Sequence, residues 1–230
     1  MRAELTGFPS IDKLWLKYYG EEVLHRPLPE GSMYDYLTSC NVDRLDSVAL
    51  NYFGKKVTHR HMQEKIDACA RALTAYGVRA GDAVSLCVLA MPEAVYLLYA
   101  INKIGAIANM LVMNATEAEI HEKLAVTKSK VVITVDLALE KIVQASKETS
   151  VKHIIGVSLA ESMSCVIGTL YKWKSKVKQE NCVLFSEFLK AGQGKNVEYL
   201  EIKADAPAVI AYTGGTTGKA KGVLLSNRAA

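Results

Sequence analysis

The stretch YTGGTTGKAKGV, residues 212 to 223, sets four glycines, three threonines and two lysines in twelve positions. Glycine admits positive φ and close approach, so Gly214, Gly215 and Gly218 can turn successive backbone N–H groups toward one anion. Thr213, Thr216 and Thr217 add hydroxyl donors, and Lys219 and Lys221 add positive charge. Together these groups form a complete kit for polyphosphate. Each charge-assisted hydrogen bond contributes roughly 1.5–3 kcal/mol, so two or three decide whether a triphosphate is held. The same composition also suits a solvated turn between two antiparallel strands, with no ligand at all.

Spacing removes two other phosphate loops. A Walker loop needs four residues between its glycines and a Ser or Thr after its lysine, and it feeds a helix. Here three residues separate Gly214 from Gly218, Ala220 follows Lys219, and GVLLS reads as strand. No G-x-G-x-x-G follows the early strands, which removes the dinucleotide fingerprint. A self-sufficient phosphotransferase would need an acid–base pair and metal carboxylates near the loop. The nearest acids, Glu201 and Asp205, have no motif around them and read as solvated surface.

The elements that must position the loop are legible from residue 57 onward. Met62, Ile66, Cys69, Ala70, Leu73 and Tyr76 share one helical stripe, with Thr58 as N-cap and Gly77 as stop. AVSLCV then reads as a buried strand, and Pro92 opens a helix that ends near Gly105. AIANML is a strand, and Thr116 to Glu119 is a capping box that starts the next helix. KVVITV, a helix over about 137–148 and HIIGV continue the alternation. ESMSCVIGTLYKWKSKVK is expected to form an ordinary helix packed on the sheet, in preference to an amphipathic surface helix touching a membrane, because its apolar run is short, and QGKN is expected to be a surface turn. APAVIAY enters the loop as a strand and VLLS leaves it as another. The expected fold is α/β, a largely parallel sheet flanked by helices, followed by a strand–loop–strand phosphate-binding segment.

Composition bounds the partners. With 28 basic and 24 acidic side chains the net charge is +4, without a basic block, so nothing demands nucleic acid. Cys40, Cys69, Cys87, Cys165 and Cys182 form no C-x-x-C pair and are odd in number, which argues against a disulfide framework or a zinc site. They read as free thiols in a reducing cytosol. His59 and His61 lack a third ligand at metal-site spacing, so no metal is assigned to protein side chains. The N-terminus carries charges and aromatics where a signal peptide needs an apolar run. Pro92 and Glu93 break the longest apolar region, where a span needs about 20 apolar residues. The expectation is a soluble, cytoplasmic protein.

The loop resembles the phosphate signature of the adenylate-forming superfamily, which includes acyl-CoA synthetases, luciferases and adenylation domains, with the pattern Y-T-S-G-T-T-G-x-P-K-G-V. Tyr212, Thr213, Gly215, Thr216, Thr217, Gly218, Lys221, Gly222 and Val223 match it. Gly214 stands for the serine and Ala220 for the proline, so a looser loop with a weaker grip is expected. The family follows with S-H-x-N or T-H-x-N, where this chain has Ser226, Asn227 and Arg228. Upstream, Gly77, Val78, Gly81, Asp82, Glu93, Gly105 and Ala106 are similar to the family's early region.

The resemblance implies a two-step ligase: a carboxylic acid and Mg-ATP give acyl-adenylate and pyrophosphate, and a thiol, usually coenzyme A, takes the acyl group. Thr213, Gly214, Gly215, Thr216, Thr217, Gly218, Lys219 and Lys221 would hold the ATP phosphates. The Mg2+ ligand, the catalytic lysine and most of the acyl pocket belong to later parts of the family's chains. The expectation is therefore an N-terminal fragment, with no catalytic residue of its own, inactive alone and prone to self-association through exposed apolar surface. Residues 1–200 would be an N-terminal subdomain and 201–230 the start of the next, the C-terminal domain being absent. Fatty, aryl and amino acids remain open as substrates, with an acyl-CoA ligase preferred. A small non-catalytic polyphosphate binder is the alternative.

Overall fold

The computed structural model describes residues 5–163, 182–198, 200–214 and 220–230. Two short helices, α1 (Pro9–Asp12) and α2 (Glu21–Leu24), precede α3 (Met33–Ser39). A hairpin of β1 (Val48–Tyr52) and β2 (Lys55–Thr58) follows, turned by Phe53 and Gly54 at φ of 49° and 82°. Two successive positive φ values match the twist of a two-residue hairpin turn. Thr58 then caps α4 (His59–Ala75), its side chain accepting from the His61 N–H at 3.2 Å. The stripe Met62, Ile66, Cys69, Ala70 and Leu73 is buried as its spacing requires.

From there helices and strands alternate: β3 (Ala83–Cys87), α5 (Pro92–Lys103), β4 (Ile107–Met110), α6 (Glu117–Thr127), β5 (Val131–Val135), α7 (Leu139–Ala145) and β6 (His153–Val157). The capping box at Thr116 and Glu119 is formed, with the Thr116 N–H donating to Glu119 at 2.7 Å. The helix expected over about 137–148 is shorter. A 3-10 turn over Asp136–Ala138 precedes it. β7 (Val183–Leu184), α8 (Phe185–Ala191), β8 (Pro207–Thr213) and β9 (Lys221–Ser226) complete the described chain. The helix expected in 161–178 lies largely outside the described residues.

Among the described residues, seven strands form one sheet in the order β7-β6-β5-β3-β4-β8-β9. Each neighbouring pair is parallel except β8 with β9, which is antiparallel. Helices flank the sheet: α4 packs on α5 and α8, and α6 on α7. All five residues of β5 are buried, the near-continuous apolar run of a strand covered on both faces. The stretch 201–230 joins this same sheet, because β8 pairs with β4 through Ala108–Val209 and Asn109–Ile210.

A matched pair of turns sets the sheet's amino edge. Gly105 adopts a φ of 68° between α5 and β4, and its carbonyl accepts from the Gly81 N–H at 2.8 Å. A Cβ at 105 would meet the Ala80 Cβ at 3.2 Å, so both backbone conformation and space call for glycine. Asp82 ties the same turn, accepting from the Arg79 N–H at 2.9 Å and the Lys130 ammonium at 3.1 Å.

Candidate functional site

Because β8 runs parallel to β4, its last residue, Thr213, emerges at the carboxyl edge of the sheet. Ligands of open α/β sheets bind outside this edge. The hairpin pairs Thr213 with Lys221 and Tyr212 with Gly222. Thr213, Gly214 and Lys221 are exposed, and among the described residues nothing lies within 4 Å of where a Gly214 Cβ would stand. Gly214 is not among the residues at positive φ, so its contribution here is open space. Gly215, Thr216, Thr217, Gly218 and Lys219 lie outside the described residues.

The stem is held from both strands. Tyr212 is half-buried, and its hydroxyl donates to Asn109 Oδ1 at 2.8 Å. Burial pushes the phenol up, only partly offset by that bond, so it stays protonated and donates. The Lys123 ammonium sits 4.4 Å from the centroid of the same ring, a cation–π contact from α6. At the far end of β9, Asn227 is buried. Its Oδ1 accepts from the Asn102 amide at 2.6 Å and the Met33 N–H at 3.1 Å, and its Nδ2 donates to the Ala206 carbonyl at 3.1 Å. One side chain thereby joins the base of the hairpin to α3 and α5.

A groove of about 480 Å3 opens beside this stem, with Glu119, Lys123, Val126, Ile210, Tyr212 and Leu224 in its lining. Elsewhere Glu93, 2% exposed at the start of α5, accepts from the Ser162 hydroxyl through Oε1, while Oε2 has no partner among the described residues. Burial pushes its carboxyl up, against the pull of Ser162. Asp205, one of the two acids considered for a phosphotransferase, accepts from Arg228 Nε at 3.0 Å, and Glu201 is exposed. Among the described residues no three His, Cys, Asp or Glu side chains are grouped to hold a metal ion.

Residues 38–230 match the family model described as AMP-binding enzyme. The chain belongs to the AMP-binding enzyme family. An acetyl-coenzyme A synthetase of Shewanella denitrificans is 31% identical over 67% of this chain and 24% of that protein. A long-chain-fatty-acid–CoA ligase of Bacillus subtilis is 28% identical over 94% of this chain and 40% of its own length. The solved anthranilate CoA ligase AuaEII, in complex with anthranoyl-AMP, aligns at a TM-score of 0.74 and 23% identity, over 88% of this chain and 36% of that one. That last likeness establishes the fold, an α/β sheet flanked by helices. The chain spans 24–41% of the length of the first curated relatives it matches.

Within the AMP-binding enzyme match, structure brings Tyr212, Thr213, Gly222 and Lys221 together at the hairpin stem. Gly222 has a steric reason: a Cβ there would stand 3.1 Å from Tyr212 Cε1 and 3.3 Å from Ile210 Cγ2. The sequence noted Asn227 only as part of the segment after the loop, and it gave no role to Asn109 or Lys123. Asn109 was visible as the sole amide in the apolar run AIANML, whereas nothing local marks Lys123 as the partner of a ring 89 residues away.

Proposed function

We propose that this chain supplies the phosphate-holding part of an ATP-dependent acid–CoA ligase. In that reaction a carboxylate oxygen attacks the α-phosphorus of ATP, the bond to the β-phosphate oxygen breaks, and pyrophosphate leaves as acyl-adenylate forms. The sulfur of coenzyme A then attacks the acyl carbon, AMP leaves, and the thiol proton passes to solvent. Catalysis of this kind depends on positioning and on charge neutralisation. Bound Mg2+ supplies part of that neutralisation, and its ligands are proposed to come from outside the described residues.

The reading is supported most by one observation: exposed Thr213 and Lys221, paired at the carboxyl edge of the sheet, flank the Gly/Thr/Lys-rich sequence 214–220 in a chain of the AMP-binding enzyme family. The exposed stem and the open space at Gly214 fit an anion. In the proposal the hydroxyls of Thr213, Thr216 and Thr217 and the N–H groups of Gly214, Gly215 and Gly218 hold the β- and γ-phosphates. Lys219 and Lys221 balance their charge. Residues 1–200 and 201–230 are proposed as successive pieces of one adenylating unit, consistent with β8 and β9 extending the sheet. The proposed compartment is the cytoplasm, in keeping with the free thiols of Cys69 and Cys87.

The test is carboxylate-dependent exchange of labelled pyrophosphate into ATP, run on the chain with Mg2+ and a panel of fatty, aryl and amino acids. The proposal expects saturable binding of Mg-pyrophosphate without acid-dependent exchange. Exchange that follows one acid class would identify the substrate and overturn the partial-site reading. Absence of both binding and exchange would overturn the phosphate reading itself.

A further inference from the structure

We infer that Asn109 is a positioning residue for the phosphate loop, acting through Tyr212; this rests on the phosphate reading above. Asn109 has no exposed surface and lies in β4 between Ser85 of β3, its register partner, and Ile210 of β8. A buried amide in the middle of a parallel sheet is costly unless both of its ends are bonded. Both are. Asn109 Nδ2 donates to Ser85 Oγ at 2.7 Å and lies 3.4 Å from Thr127 Oγ1, while Oδ1 accepts from the Tyr212 hydroxyl at 2.8 Å.

The network runs on behind it. Ser85 Oγ donates to Ser129 Oγ at 2.8 Å, Ser129 Oγ is 2.9 Å from Thr127 Oγ1, and Thr127 donates to the Lys123 carbonyl at 2.8 Å. Ser85 and Ser129 are fully buried. A polar path therefore ties β3, β4 and the last turn of α6 to the strand that enters the loop. Leu at 109 beside Phe at 212 would fill the same space without desolvating an amide. What the polar pair adds is direction. It fixes the Tyr212 ring, on which Lys123 stacks and against which Gly222 packs without a side chain. Thr213 is the next residue, so the orientation of the loop's first donor follows from this bond. Asn109 itself is buried and touches no phosphate.

The experiment is calorimetric titration of Mg-pyrophosphate into the full chain and into Tyr212→Phe, Asn109→Ala, the double variant and Lys221→Ala, with thermal unfolding measured alongside. Tyr212→Phe keeps the ring under Lys123 and removes only the hydroxyl. Tyr212→Phe and Asn109→Ala are each expected to weaken binding about three- to tenfold, at a temperature where all are folded. The double variant should lose no more than the weaker-binding single, because both remove one bond. Wild-type affinity in Tyr212→Phe, or single losses that multiply in the double, overturns the inference. If Asn109→Ala does not fold, Tyr212→Phe decides alone. A wild-type chain that binds no pyrophosphate, or binding that Lys221→Ala leaves intact, overturns the phosphate reading and this inference together. Loss in Lys221→Ala beside no change in Tyr212→Phe overturns this inference alone.

Discussion

Gly222 stands opposite Tyr212, and its missing side chain leaves room for the phenol ring, whose Cε1 would lie 3.1 Å from a Cβ at 222. Gly222→Val should therefore displace the ring and cost about 1–3 kcal/mol, read as a lower unfolding midpoint in urea. Glu93 makes a second residue-scale prediction. Its buried carboxyl is raised above the ordinary 4.5, so the folded state binds the proton more tightly than the unfolded chain. The associated stability is complete below about pH 4.5 and is lost as pH rises through the raised value. Glu93→Gln cannot ionise. The difference in stability between variant and wild type should be flat at low pH and shift in the variant's favour as pH rises, as measured by urea unfolding across pH 4–8. A constant difference would contradict the buried-charge account. At this scale the sequence carried the identities of the loop residues, since glycine, threonine and lysine declare their chemistry by type. It could not carry Tyr212 with Asn109, or Gly222 with Ile210, because those pairs exist only once strands distant in sequence lie side by side.

The hairpin of β8 and β9 is positioned as an element. Asn109 and Lys123 hold it near the loop, and Asn227 holds it at the base through α3, α5 and the Ala206 carbonyl. Asn227→Ala would leave the Asn102 amide and the Met33 N–H without their acceptor, and should destabilise the fold by about 2–4 kcal/mol in denaturant unfolding. The capping box of α6 is exposed and local. Thr116→Ala should cost only about 1 kcal/mol by the same measurement. Elements with strong local signals were legible: α4 from its stripe and Thr58, α5 from Pro92, α6 from its box, and β3 to β6 from apolar runs. The β1–β2 hairpin, β7 and α8 were not. Their signals are short, and β7 is two residues long, defined by pairing with β6 rather than by any pattern of its own.

At the scale of the molecule, the chain belongs to the AMP-binding enzyme family and spans only part of the length of its relatives. Val223 and Leu224 on β9 are 40% and 56% exposed, and Leu224 lines the groove with Ile210 and Tyr212. Apolar surface of this kind favours association. Sedimentation velocity should show concentration-dependent self-association that Leu224→Lys reduces; a chain monomeric throughout would contradict this. Parallel strands separated by helices made the architecture readable from hydrophobic period alone, whereas strand order depends on crossovers that no local pattern encodes. The role proposed for residues 213–221 is to hold phosphate. Its most direct test is calorimetric titration of Mg-pyrophosphate into the wild-type chain and Lys221→Ala side by side. Saturable one-site binding that Lys221→Ala weakens about tenfold or more is expected; equal affinities, or no binding by the wild type, would contradict the phosphate role.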